Sequence, residues 1–191
     1  MKIVPKGIKF ILVMTLVVAF LGPSIVFSAG PKGVRKYPIP DRGMLELNVP
    51  NSWRDKVHKP QENLPSTIIF TPASGNDFEV LITVVWSKKG EPGFNSPDRV
   101  RALLEKDGKR ILPKTVETKI VLQELKGVHN TGYYFSVTDK APEPGEYRYM
   151  TQGKIGVGNL LLSFSLLTRV KDSESVKDAL AMIREAKQLT N

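Results

Sequence analysis

The run DFEVLITVVW, residues 77–86, carries Phe78, Val80, Ile82, Val84 and Trp86 at every second position. In an extended chain those five side chains share one face. Leu81 and Val85 on the opposite face are also apolar, so the run predicts an inner strand covered on both sides. Upstream, STIIF (residues 66–70) predicts a partner strand, joined through the hairpin loop TPASGN. Before it, MLELNV (residues 44–49) alternates, with Leu45, Leu47 and Val49 inward until Pro50 removes a ladder donor.

Downstream, NSPDRVRALLEKDG has the punctuation of a helix: Ser96 as cap, Pro97 in the first turn, Asp98 near the positive end of the dipole, and Gly108 as a stop. Val100, Leu103 and Leu104 form its expected buried stripe. Four more strands are expected in ETKIVLQEL (117–125), GYYFSVTD (132–139), GEYRYMTQGKI (145–155) and NLLLSFSLLT (159–168). Their short connections imply consecutive antiparallel pairing. A closing amphipathic helix is expected from Val176, Ala179, Leu180 and Ile183, capped by Asp172 or Ser173, with Arg184 and Lys187 at its negative end. The order is strands, helix, strands, helix. It predicts an α+β fold over residues 43–191, an antiparallel sheet of six or seven strands with helices packed on it.

The N-terminal segment reads differently. Lys2, Lys6 and Lys9 precede the apolar run FILVMTLVVAFL, and Gly22-Pro23 breaks any helix before VFSAG. Residues 1–28 therefore read as an export signal, cleaved after Ser28 or after Ala29; an uncleaved membrane anchor is the alternative. Residues 29–42, AGPKGVRKYPIPDR, are rich in Pro, Gly and charge and read as a flexible lead-in. The 191-residue chain has no cysteine, which excludes disulfides, thiolate catalysis and a lipid-attachment cysteine. Loss of the leader takes three lysines, so a formal +9 becomes +6. That excess suits weak contact with an anionic membrane surface, and export argues against a nucleic-acid partner.

Motifs for chemistry are sparse. His58 and His129 lie in expected loops, without the spacing of a zinc site, and no GxSxG elbow nominates a serine. GKIGVGN (153–159) is followed by a strand, not a helix N-terminus, and reads as a hairpin turn. DKAPEPGEY (139–147) has carboxylates, but its prolines oppose calcium-loop geometry. No cofactor or metal is expected. The aromatic residues are the candidates for partner binding: Trp53, Tyr134, Tyr147 and Tyr149. Trp53 has a second reading, as an indole that closes one end of the core.

A short strand ending in VPNSW, a hairpin ending in a long apolar strand, a middle helix, a meander containing GYYFSVTD and a final helix together resemble the PsbP/DcrB-like superfamily of α-β-α sandwich domains. The resemblance spans residues 43–189. It implies an exported module of the envelope that binds and stabilises a protein partner and performs no catalysis. The family's metal-associated histidines do not map onto His58 or His129. From the residues themselves, a carrier of a small apolar ligand is the alternative, needing an apolar cavity of about 300 Å³ between sheet and helix. A hydrolase with an unidentified carboxylate site is the third reading. Oligomeric state is open.

Overall fold

A computed structural model describes residues 32–58, 65–87, 90–128 and 130–190. The leader, the Ser28 and Ala29 cleavage positions and His129 lie outside the described residues. Ten strands and two helices follow in the order β1 (Lys32–Ile39), β2 (Gly43–Pro50), β3 (Trp53–His58), β4 (Thr67–Pro72), β5 (Phe78–Trp86), α1 (Pro97–Ile111), β6 (Gln123–Lys126), β7 (Thr131–Thr138), β8 (Tyr149–Val157), β9 (Leu160–Thr168), α2 (Glu174–Arg184) and β10 (Lys187–Leu189). The main sheet has seven strands in the order β3-β4-β5-β9-β8-β7-β6, all antiparallel. A second sheet, β1-β2-β10, was not expected from the sequence.

One face of the main sheet is sealed. Ile68, Phe70, Val80, Ile82, Phe164 and Leu166 pack there against Leu45, Leu47 and Val49 of the small sheet and against Ala179, Met182 and Ile183 of α2. On the other face α1 packs on β7 and β8, where Leu104 meets Phe135 and Val137. The α+β class and an antiparallel sheet of seven strands agree with the sequence reading, but the membership differs: β2, expected in this sheet, lies in the small one, and β3, which ends at His58, stands where the sequence predicts a loop.

The reading of residues 29–42 as a lead-in is corrected over Lys32–Ile39, which form β1. Pro38 inside the strand, with Pro31 and Pro40 flanking it, disguises an alternating pattern: Arg35, Tyr37 and Ile39 face inward, and Pro38 is tolerated because β1 is an edge strand. Tyr37 and Ile39 are buried. Asp55 of β3 accepts bonds from the Arg35 guanidinium and, at 3.0 Å, from the Tyr37 hydroxyl, while Arg35 Nη2 also donates to the Trp53 carbonyl at 2.8 Å. These bonds tie the small sheet to the edge of the large one. Burial, and then the Asp55 carboxylate beside it, push the Tyr37 phenol well above its ordinary range.

Gly108 is not a helix stop. A Cβ there would sit 3.0 Å from Ile120, so the glycine lets the 117–122 segment lie against α1, which continues to Ile111. That segment, with a bend at Thr118 and Lys119, joins no strand until Gln123. Leu103, expected in the buried stripe, is 36% exposed; Val100, Leu104 and Gly108 are the buried positions. The Ser96 cap holds, its Oγ accepting from Arg99 N at 3.5 Å. Lys187, expected at the helix end, belongs to β10. GKIGVGN is the end of β8 and its turn, with Val157 opposite Leu160 and Gly158 at φ +56°.

Candidate functional site

β5 exposes what its sequence concealed. The face carrying Leu81 and Val85, expected to be covered, has no helix packed on it among the described residues, because α1 packs mainly over β7 and β8. Cross-strand register places Ile69 beside Leu81, Leu81 beside Ser165, and Thr83 between Thr67 and Ser163. Ile69, Leu81, Val85 and Leu167 are half-buried there and belong to neither core cluster of the described residues. Thr67 and Thr83 share a hydrogen bond of 2.8 Å, so two of the hydroxyls satisfy each other within the sheet. The result is a floor of aliphatic and hydroxyl side chains three strands wide, on β4, β5 and β9.

Its borders are named residues. On one side α1 presents Leu103, Asp107 and Arg110; Asp107 takes Lys154 Nζ at 2.7 Å and Arg110 at 3.0 Å, and Lys154 also donates to Ser163 of β9 at 3.1 Å. On the other, β3 raises Arg54, Lys56 and His58 on the floor side, opposite Thr71, Ile69 and Thr67. All three are exposed. Tyr147 lies at the end nearest Leu167, with the Arg169 guanidinium 5.0 Å from its ring centroid. Partial burial, and then the Glu79 carboxylate at the start of β5, raise its phenol pKa, and Arg169 opposes the shift.

The four aromatic candidates do not converge. Trp53 is 5% exposed, with ring centroids 4.6 Å from Phe78 and 6.2 Å from Phe70, and is a core residue. Tyr134 leans on the sealed core and donates to Gln123 Oε1 at 2.8 Å. Tyr149 opens β8 between Thr138 and Thr168. Tyr147, expected in the same strand as Tyr149, lies in the loop before β8 and lines the small cleft that also holds Leu167. His58 is exposed at the end of β3, and among the described residues no three His, Asp or Glu side chains gather as metal ligands would.

Among the described residues, the main clefts do not pair an apolar lining with the volume expected of a carrier. Two adjoining clefts of about 360 and 550 Å³ open beside Arg42 and Asn159, lined mostly by polar groups and backbone. The cleft with the most aliphatic lining, among Ile111, Val137, Met150 and Leu167, measures about 140 Å³. That is half the volume a small apolar ligand requires.

Glu117 closes the end of the α1 layer. Its carboxylate accepts from Thr138 N at 2.9 Å and from the Thr138 hydroxyl at 2.8 Å. Desolvation raises its pKa, but those two bonds outweigh it and leave the group below its ordinary 4.5. The stabilisation is therefore complete above that value and is lost as pH falls through the lower folded value. In urea melts, Glu117→Gln is expected to cost about 1–2 kcal/mol at pH 7, with the gap to wild type narrowing as the pH falls below 4.5. A gap constant with pH would refute this assignment.

With this geometry in view, comparison with known proteins is informative about architecture. No protein-family model matches the sequence, and no curated protein matches it significantly. The solution structure of cyanobacterial PsbP (CyanoP) from Synechocystis sp. PCC 6803 superposes over 90% of this chain and 99% of that one, with a TM-score of 0.53 at 12% identity. The fold is PsbP-like. A crystal structure from Bacteroides thetaiotaomicron VPI-5482 matches at 14% identity and a TM-score of 0.49, over 86% of this chain; the chain spans half of that protein's length. At such identities the PsbP-like fold is what the comparison shows. No helix among the described residues is long and apolar enough to cross a membrane.

The floor residues were not singled out by sequence reasoning. One signal was available: Ser163 and Ser165 alternate with Leu162, Phe164 and Leu166 in β9, marking the serine side as less than fully dry.

Proposed function

We propose that this protein is an exported, non-catalytic binding or assembly module that engages a protein partner of the envelope through the open half of its main sheet. The floor of Ile69, Leu81, Val85 and Leu167, which no helix among the described residues covers, carries the reading. Aliphatic surface at the middle of a sheet, ringed by polar groups, is what a docking partner covers. The leader-like N-terminus supports export. The PsbP-like fold supports an accessory role, which is expected to be binding.

The test is crosslinking of the full-length protein in living cells, with mass spectrometry of the products. Wild type is expected to capture one dominant envelope protein. Leu81→Asp, in the middle of the floor, is expected to cut that capture at least tenfold, about 1.4 kcal/mol or more, while far-UV circular dichroism stays unchanged. Ile69→Thr gives a milder version should the aspartate perturb folding. Absence of any partner above background, or capture indifferent to both substitutions, would sink the reading.

A further inference from the structure

Resting on that reading, we infer that the open floor receives an amphipathic α-helix of the partner, with acidic residues flanking its apolar stripe. The main sheet already shows how such a helix is held. α1 lies on one half of this face, over β7 and β8, and the half beside it has no second helix among the described residues.

The dimensions agree. From β9 across β5 and β4 to β3 there are three strand spacings, about 14 Å, and a helix with its side chains is about 10–12 Å across. β4, the shorter floor strand, has six residues. At about 3.3 Å per residue it runs about 20 Å, the length of roughly 13 helical residues. Leu103, exposed on the flank of α1, adds an aliphatic wall for a stripe spaced i, i+3, i+4, i+7.

Charge selects among occupants. Arg54, Lys56 and His58 stand on the β3 rim, and Arg110 stands on the α1 rim with Lys154 at its foot. The acids facing the floor are Glu79 and Asp107, and Asp107 is already engaged by Lys154 and Arg110. A helix with Asp or Glu beside its stripe would meet opposite charge on both sides. The chain's own apolar run at 10–21 has no acid and is preceded by Lys2, Lys6 and Lys9, so it brings like charge to this rim. The undescribed stretches 59–64 and 88–89 are too short to supply three turns. Addition of a partner strand at β3 is opposed by its charged edge, Arg54, Asp55 and Lys56.

The experiment places a photocrosslinking phenylalanine analogue at Leu81 of the full-length protein in cells and sequences the captured peptide. The expected peptide belongs to another protein, repeats apolar residues at helical spacing and carries net negative charge. Paired reversals Arg54→Glu and Lys56→Glu, both at exposed positions, are expected to lower its yield at least tenfold. A captured segment with two-residue periodicity or net positive charge would overturn the helix while leaving the proposed function standing. So would residues 10–21, a second copy of the chain, lipid alone, or yields indifferent to the charge reversals. No adduct at Leu81, with the wild-type partner unaffected by Leu81→Asp, would take down both.

Discussion

Trp53→Ala is expected to cost about 3–5 kcal/mol, a large part of the stability of a domain this size. The indole lies between Phe70 and Phe78 at the end of the sealed core, and its own carbonyl receives Arg35. Truncation leaves a cavity bounded by two rings that are themselves pinned in β4 and β5. Those strands cannot collapse inward, because Phe70 also packs edge-on against Tyr37, with centroids 6.2 Å apart. Equilibrium urea denaturation of wild type and variant measures the difference. A loss under 1 kcal/mol would show that Trp53 is a surface residue, and its earlier candidacy as a partner contact would return. Trp53→Phe, which keeps the ring contacts but not the full volume, is expected to recover about half of the loss.

The second large effect concerns β1. A chain beginning at Gly43 is expected to be less stable than one beginning at Ala29 by roughly 3–6 kcal/mol, counting only the burial of Tyr37 and Ile39. The true penalty includes more, since β2 would lose its β1 partner and become an edge strand. Asp55 would lose both the Arg35 guanidinium and the Tyr37 hydroxyl. The midpoint of urea unfolding should fall in proportion, with a smaller m-value as the buried area shrinks. Equal midpoints would mean that residues 29–42 are the lead-in that their prolines advertise. Tyr37→Phe isolates the hydroxyl and is expected to cost about 1 kcal/mol.

How much of this was legible follows from which information is local. The alternation in residues 78–86 and 160–168 and the Ser96-Pro97-Asp98 cap are short-range properties, and they delivered β5, β9 and the start of α1. β1 was hidden because its evidence is tertiary: Arg35 and Tyr37 make sense only beside Asp55, which a linear reading does not bring near them. Gly108 misled for a related reason. Its lack of a side chain serves contact with Ile120, and that contact is invisible until 117–122 folds back on α1. The open floor was missed because a strand face with Leu81 and Val85 has one pattern whether a helix of the same chain or a partner is meant to cover it. Tyr147 failed on a strand boundary, the feature that periodicity locates least well.

The seam between β5 and β9 has a kinetic meaning. Phe78 to Trp86 pair with Leu160 to Thr168, across α1 and three intervening strands. Until β9 has been synthesised, β5 holds one paired edge against β4 and one bare apolar edge. Contacts so distant in sequence slow folding and leave that edge open to the wrong neighbour. The half-sheet β3-β4-β5 therefore stays incomplete until β9, one helix and three strands further along the chain, pairs with it.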